Sequence, residues 1–138
     1  MFIRRLSEAR DTARHTRADN WDSVRLLLAN DGMGFSFHIT TLYAGTETHM
    51  WYKHHLESVY CISGRAEIED KATGEKHRLE AGDMYALNDH DRHVLRVGED
   101  EEFVAACVFN PPLRGTEVHD ADGAYVLDAV EVPREVTD

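Results

Sequence analysis

Cysteine is scarce in this sequence of 138 residues, which contains only two, Cys61 and Cys107. Both lie inside apolar runs, so they lack the pattern of the many disulfide-bonded cysteines that stabilise small secreted domains. We therefore expect buried free thiols that fill space in the core, a reducing compartment and a cytoplasmic protein.

Long hydrophobic runs are missing as well. No stretch approaches the roughly 18 apolar residues that a membrane span requires. The start MFIRRL also lacks the apolar stretch of a secretory signal. We expect a soluble protein without a membrane partner.

Positive charge is in short supply. Lys and Arg number 15 against 26 Asp and Glu, which gives a formal net charge of -11. A field of this sign repels phosphate backbones and anionic membrane surfaces, so we expect no nucleic-acid partner. The only lysines are Lys53, Lys71 and Lys76. An acidic surface that is poor in lysine would suit a salty or osmotically stressed cell.

Short apolar runs broken by Gly, Asn and Asp recur along the chain, and this rhythm is typical of β-strands. No segment has the pattern of a long amphipathic helix. The predicted strands span residues 23–28, 34–43, 48–53, 58–62, 66–69, 76–79, 83–87, 93–97 and 103–109. Many short strands joined by tight turns predict an all-β fold, a closed antiparallel barrel.

The chain length of 138 residues and its 42% hydrophobic content predict a single domain. We divide it into an N-terminal segment (1–20) with a short helical turn around 7–15, a barrel (21–112) and a tail (113–138) whose end we expect to be mobile. Pro111 and Pro112 end the last barrel strand, because neither proline can donate to a ladder.

Two spaced motifs point to a metal site. Six residues separate Glu57 from Gly64, and Gly82 is followed by Asn88, His90 and His93. Together these spacings resemble the cupin superfamily, whose jelly-roll-like barrel binds a metal through an inward Glu and a His. That resemblance implies Glu57 and His93 as ligands. Because side chains alternate along a strand, Tyr85 could face the same cavity.

The first motif departs from the cupin pattern, because the chain reads Met50-Trp51-Tyr52-Lys53 where its two histidines should fall. A site of one carboxylate, one imidazole and one phenolate would favour iron, although other divalent metals remain open. A phenol normally loses its proton near pH 10, and a metal could drive that loss at neutral pH.

Longer strings narrow the resemblance to one family within the cupins. They are residues 21–28, 31–38, 43–49, 84–87, 90–93, 108–113 and 115–120, and they look like the ectoine synthase family over nearly the whole chain up to about Tyr125. That family closes N-γ-acetyl-L-2,4-diaminobutyrate into the compatible solute ectoine with release of water. The resemblance therefore implies a hydro-lyase, and it suggests a homodimer, for which an exposed barrel edge near the N-terminal strand would be a natural interface.

The same resemblance implies roles for individual residues. The iron (Fe²⁺) ligands would be Glu57, Tyr85 and His93. The substrate would be surrounded by Trp21, Arg25, Thr40, Tyr52, Phe109, Glu117 and His119. Among the remaining histidines near the motifs (His49, His54, His55 and His90), His55 is the best candidate for substrate binding.

The chemistry needs these residue types. The attacking amine must be neutral and the intermediate must lose hydroxide, so Glu117 and His119 could share the tasks of base and acid. They lie two apart, so an extended backbone would let them pair. The planar guanidinium of Arg25 could donate two parallel hydrogen bonds to the substrate carboxylate. Trp21 and Tyr52 would exclude water, because hydrolysis is the reverse reaction.

Two other functions remain open. Many cupins are iron-dependent oxygenases, although the tyrosine and the missing histidines argue against that chemistry here. The barrel could also be a non-catalytic binder of small molecules.

Simpler interpretations also exist for single residues. Glu57 could be a solvated carboxylate at a sheet edge, and Tyr85 could be a core tyrosine that binds no metal. Glu117 and His119 could belong to a solvated tail.

Overall fold

The computed structural model describes residues 1–115, 117–121 and 123–125. Within them the chain forms one short helix, one 3-10 turn and ten strands. These are α1 (Leu6–Ala9), β1 (His15–Arg17), β2 (Trp21–Leu27), the turn Ala29–Asp31, β3 (Ser36–Leu42), β4 (Glu47–Trp51), β5 (Leu56–Ser63), β6 (Ala66–Asp70), β7 (Lys76–Leu79), β8 (Met84–Leu87), β9 (Arg92–Val97) and β10 (Phe103–Asn110).

The strands form two antiparallel sheets. The larger sheet has the order β1-β2-β3-β10-β5-β8, and the smaller has the order β4-β9-β6-β7. Buried side chains such as Phe103 and Leu95 fill the space between the sheets. The predicted all-β barrel is confirmed, and it leaves β1 and β8 as the edges of the larger sheet.

The N-terminal segment differs in detail from the prediction of a helical turn over residues 7–15. The helix ends at Ala9, and β1 pairs with β2 with His15 opposite Val24. A strand of three residues is too short to show an alternating pattern, which is why the sequence did not predict it.

Strands β5 and β8 place two predicted ligands on one face of the larger sheet. On this strand Glu57, Val59 and Cys61 are buried while their neighbours are more exposed. Glu57 lies opposite Leu87 and Val59 lies opposite Tyr85 on β8. Since directly opposed residues share a face, Glu57 and Tyr85 both point into the barrel.

Strand β9 supplies the third predicted ligand from the facing sheet. His93 lies opposite Met50 on β4 and opposite Asp70 on β6. The three side chains therefore form an inward row across the smaller sheet. The two sheets bring Glu57, Tyr85 and His93 towards the same interior.

The segment after β10 packs on the barrel, although its composition had suggested a polar tail. Leu113, Ala124 and Tyr125 are buried. The N–H of Leu113 donates to Ser36 Oγ at 3.0 Å, and the N–H of Trp51 donates to the carbonyl of Gly123 at 2.9 Å. The predicted mobility of the chain's end concerns residues 126–138, which lie outside the described residues.

Candidate active site

An interior cavity lies between the two sheets beneath residues 113–115, 117–121 and 123–125, which we call the covering segment. It is lined by Trp21, Thr40, Leu42, Met50, Tyr52, Glu57, Val59, Tyr85, Leu95, Cys107, Phe109, His119 and Tyr125. The space left between these side chains is about 30 Å³, roughly enough for one or two water molecules. The cavity therefore brings together most of the residues predicted for the site, although His93 is not among its lining residues, and in this form it is narrow.

Glu57 is a buried carboxyl group, not a solvated one at an edge, with 8% of its surface exposed. Burial raises the pKa of Glu57 to about 8, and a hydrogen bond from the thiol of Cys107 partly offsets that rise. A carboxyl group in this state gains its charge at neutral pH only when a cation lies close to it.

Tyr85 brings a phenol to the same cavity from the edge strand β8. Burial raises the pKa of Tyr85 well above its ordinary value of 10.0, and the nearby carboxyl of Glu57 raises it further. The phenol is therefore neutral unless a cation stabilises the phenolate.

His93 has a ring nitrogen, Nε2, that is buried and makes no hydrogen bond to the described residues. Its Nδ1 lies 2.9 Å from the carbonyl oxygen of Asp91. A carbonyl can only accept, so Nδ1 carries the proton and Nε2 has the free lone pair. Burial lowers the pKa of His93, which keeps the ring neutral. Nε2 is buried without a hydrogen-bond partner among the described residues.

These three groups fit a divalent cation by their chemistry. A buried carboxyl, the phenol of the partly buried Tyr85 and an unpartnered imidazole nitrogen each gain from a nearby positive charge, and the oxygen and nitrogen donors suit iron. Among the described residues no three His, Cys, Asp or Glu side chains come together as a metal site. A site here therefore depends on the tyrosine oxygen.

Tyr52 and His119 form a polar pair on the wall of the cavity. The hydroxyl of Tyr52 and Nε2 of His119 share a hydrogen bond of 2.7 Å. Burial, together with the neighbouring His93 and Arg25, lowers the pKa of His119 to about 4. His119 is thus neutral near pH 7, as a group that accepts a proton must be. Trp21 covers it, with ring centroids 5.3 Å apart.

Glu117 does not form the predicted pair with His119. Its carboxylate accepts from the backbone N–H groups of Arg114 at 2.6 Å and Gly115 at 2.8 Å. It is absent from the cavity wall, whereas His119 lines it. Residues 117–121 are not part of a strand, so the period of two on which the prediction rested does not apply.

Arg25 is engaged differently from the prediction. It is fully buried, and its two terminal nitrogens donate to the carbonyls of Gly115 and Glu117, each at 2.5 Å. Nη1 also lies 3.8 Å from the Glu117 carboxylate. Arg25 therefore anchors the segment that covers the cavity, and it is not free to receive a carboxylate in this form.

The remaining predicted residues divide into two groups. Thr40 lines the cavity, and its Oγ1 lies 3.0 Å from Ser23 Oγ. Phe109 lines it too and meets the Tyr52 ring edge-on at 5.1 Å. His55 lies behind Phe109, with ring centroids 5.9 Å apart. It is buried and outside the cavity wall, and burial lowers its pKa.

Six cavity residues were missed, and two of them, Tyr125 and Cys107, carry polar groups. Tyr125 stacks on Tyr52 with ring centroids 5.1 Å apart, and it fills space at the top of the cavity. Cys107 was treated as filling of the barrel. It alternates with Ala105 and Phe109 along β10, so the period of two could have placed its thiol beside Glu57.

None of the helices within the described part of the chain has the length and apolar content that crossing a membrane demands.

Comparisons with known proteins agree with this architecture. A family model described as ectoine synthase matches residues 1–129. The L-ectoine synthase of Aliivibrio fischeri (strain MJ11) is 57% identical over 129 residues, which are 93% of this chain and 100% of that protein. The L-ectoine synthase of Hahella chejuensis (strain KCTC 2396) is 56% identical over 129 residues, which are 94% of this chain and 96% of that protein.

Solved structures agree as well. A crystal structure of ectoine synthase from P. lautus superposes with a TM-score of 0.82 at 46% identity, covering 95% of this chain and 94% of that chain. A cupin 2 conserved barrel domain protein from Salinispora arenicola CNS-205 gives a TM-score of 0.62 at 27% identity, covering 79% of this chain and 87% of that chain. From these matches, the chain belongs to the ectoine synthase family, a family of hydro-lyases with the cupin fold.

Proposed function

We propose that this enzyme closes N-γ-acetyl-L-2,4-diaminobutyrate into ectoine. The α-amine attacks the acetamide carbonyl carbon of the same molecule, a carbon–nitrogen bond forms, and the carbonyl oxygen leaves as water. The observation that carries the proposal is that Glu57 and Tyr85 line one cavity while the His93 ring lies 6.5 Å from the Tyr85 ring and its Nε2 has no hydrogen-bond partner among the described residues. The kinship with ectoine synthases supplies the substrate class.

Glu57, Tyr85 and His93 are the residues that would hold a divalent cation, with Fe²⁺ the first candidate. Such an ion, when bound, would supply Lewis-acid polarisation of the acetamide carbonyl. The carboxyl and the phenol both have a pKa raised by burial, so cation binding should release protons. Replacing Tyr85 with Phe should therefore lower iron content and activity together. Full iron and full activity in Tyr85→Phe would disprove phenolate ligation.

His119 is the better candidate for moving protons during ring closure. It is neutral and it lines the cavity. Its hydrogen bond to the Tyr52 hydroxyl provides a second group through which a proton can be transferred. Glu117 is held by two backbone N–H groups. We assign it a positioning role in which its carboxylate fixes the turn that carries His119.

Substrate binding requires the covering segment to move. The closed cavity leaves about 30 Å³, which is far too little for an acetylated amino acid. Displacing Tyr125 and the segment 113–121 would open the cavity and release the two terminal nitrogens of Arg25 from their backbone carbonyls. Arg25 could then take the substrate carboxylate, and closure over Trp21 and Tyr52 would exclude water.

An anaerobic turnover assay tests the reaction. Iron-loaded protein is mixed with N-γ-acetyl-L-2,4-diaminobutyrate without oxygen, and ectoine is measured by mass spectrometry. Ring closure consumes no oxygen, so product should form at the aerobic rate. No product under either condition rejects the reaction. Turnover that stops without oxygen would favour a cupin oxygenase, and binding without turnover would favour a non-catalytic binder.

We further propose that the enzyme works as a homodimer in the cytoplasm of osmotically stressed cells. Tyr60, Ile62 and Met84 expose large apolar side chains on β5 and on the edge strand β8, and such an edge suits a second copy. The edge near β1, which the sequence suggested, is the other candidate. Light scattering should give a dimer that Met84→Lys weakens. An unchanged dimer would reject the β8 edge.

A further inference from the structure

A second opening reaches Tyr85 and His93, and no described residue of the covering segment lines it. It is a cleft of about 270 Å³ at the place where β8 of the larger sheet meets β6, β7 and β9 of the smaller. Its polar lining residues are Asp70, His77, Tyr85, Asn88, Asp91 and His93. We call it the acidic cleft. Tyr85 also lines the interior cavity, so the cleft and the cavity share a wall.

Two carboxylates flank His93 in this cleft. Asp70 lies directly opposite His93 in the register of β6 and β9, so both side chains point inward with Cβ atoms about 5 Å apart. Asp91 precedes His93 by two residues, and its carbonyl fixes the ring through Nδ1. Asp70 is half-buried, and its Oδ1 accepts from the N–H of Ala72 at 2.9 Å.

The positively charged side chains next to Asp70 and Asp91 in the sequence contact other groups. Lys71 follows Asp70 in the sequence, but its Nζ lies 4.0 Å from the Glu69 carboxylate. Arg92 follows Asp91, but its guanidinium packs 4.8 Å from the centre of the Trp51 ring. Neither residue lines the acidic cleft. Among the described residues that do, two bear carboxylates and none is Lys or Arg.

The cleft leads to a group that is ready to bind a cation. His93 is 1% exposed, and its Nε2 has no hydrogen-bond partner among the described residues. Tyr125 and the rest of the covering segment close the cavity on its other side. A small ion that used the acidic cleft would not need that segment to move.

We propose that the acidic cleft is the route by which a divalent cation enters the site, and that Asp70 and Asp91 accelerate its entry. The inference rests on the proposed function, because it takes Glu57, Tyr85 and His93 as the residues that hold the ion. Carboxylates along a low-dielectric channel raise the local concentration of cations and so the rate of association. They act on the ion during passage and are not themselves ligands.

The test measures metal association separately from turnover. Metal-free full-length protein is mixed rapidly with Co²⁺, and quenching of tryptophan fluorescence is followed, since Trp21 lines the cavity. Asp70→Asn and Asp91→Asn should each slow association about three- to tenfold at low ionic strength. The difference should shrink as salt is added, because the Debye length falls to about 10 Å at 0.1 M. Asn keeps an oxygen that can accept from Ala72, so the local turn is preserved.

Asp100→Asn is the matched control. It removes the same charge from an exposed residue in the loop after β9, at the end of that strand away from His93. At 0.1 M salt its association rate should stay within about twofold of that of the unaltered protein, because charges at the far end of β9 are largely screened there, and its effect at low salt should be smaller than that of Asp70→Asn. Asp70→Glu, which keeps the charge, should restore fast entry.

Entry and ligation give different rate patterns. A carboxylate at the entrance speeds passage in both directions, so its loss should slow association and dissociation alike and leave the affinity nearly unchanged. A faster dissociation with unchanged association would make Asp70 a ligand and overturn the inference, as would unchanged rates in both variants. His93→Ala tests the proposed function itself: unaltered Co²⁺ binding in that variant would reject the metal site whatever the aspartate variants do.

Discussion

The hydroxyl of Tyr52 and Nε2 of His119 lie 2.7 Å apart in a buried hydrogen bond. It joins the end of β4 to the covering segment, so the pair forms only when that segment lies on the barrel. In the proposed mechanism closure and proton transfer are coupled, because the movement that excludes water would also bring His119 to the cavity.

Replacing Tyr52 with Phe should remove this hydrogen bond while keeping the ring that packs on Phe109 and Tyr125. We expect kcat to fall about 100-fold, the lower range for loss of a group in proton transfer, with iron content unchanged. Steady-state kinetics and metal analysis of one preparation check this. A variant with full kcat would show that the hydroxyl takes no part.

Replacing Arg25 with Ala should destabilise the covering segment, because two hydrogen bonds from a buried cation are lost. We expect a loss of about 3 kcal/mol in the free energy of unfolding, with a lower kcat as well as a higher KM. Urea unfolding and kinetics provide the measurements. A higher KM with unchanged kcat and stability would instead indicate a residue that only binds the substrate carboxylate.

Gly123→Ala should open the cover and leave the barrel intact. Gly123 has a φ of +74°, and an added Cβ would overlap the carbonyl oxygen of His49. Because that clash involves backbone, the segment must lift. We expect a large loss of kcat with little change in the barrel's far-ultraviolet circular dichroism, and faster proteolysis after β10. Wild-type turnover would contradict a closing role for this segment.

Asp31 should make stability depend on pH. Burial alone raises the pKa of Asp31, but the Leu28 N–H, Arg14 and Arg4 outweigh it, and the net result is a pKa below the ordinary 3.8. The unfolded chain thus binds the proton more readily. The stabilisation is complete above about pH 5 and is lost as the pH falls through the folded pKa.

Asp31→Asn should remove that dependence. Urea unfolding between pH 3 and pH 7 should show the variant less stable than the unaltered protein near neutrality, with the two curves converging in acid. Asp19→Asn, at an exposed position, should leave the curve unchanged. Parallel curves for Asp31→Asn and the unaltered protein would show that Arg14 and Arg4 contribute nothing through Asp31.

The barrel and its inward residues were predictable because alternation is a local property of strands. The shared face of Glu57, Val59 and Cys61 follows from it, as does the inward direction of Tyr85. The covering segment was not predictable in this way. Its residues lie outside any strand, and their placement depends on long-range contacts such as those of Arg25 with Gly115 and Glu117.

The error over Glu117 has the same origin. Two residues that are two apart share a face only on an extended strand, whereas the carboxylate of Glu117 turns back to the N–H groups of Arg114 and Gly115. Such a local side-chain turn competes with extended structure and leaves little trace in hydrophobic patterning. Tyr125 was missed because its partner Tyr52 lies far away in the sequence.

The most direct test is anomalous diffraction at the iron edge from crystals grown with Fe²⁺ without oxygen. The account predicts one strong peak per chain within about 2.2 Å of a Glu57 carboxylate oxygen, the Tyr85 oxygen and His93 Nε2. A peak at other side chains, or no peak at these three in protein that turns over substrate, would contradict it.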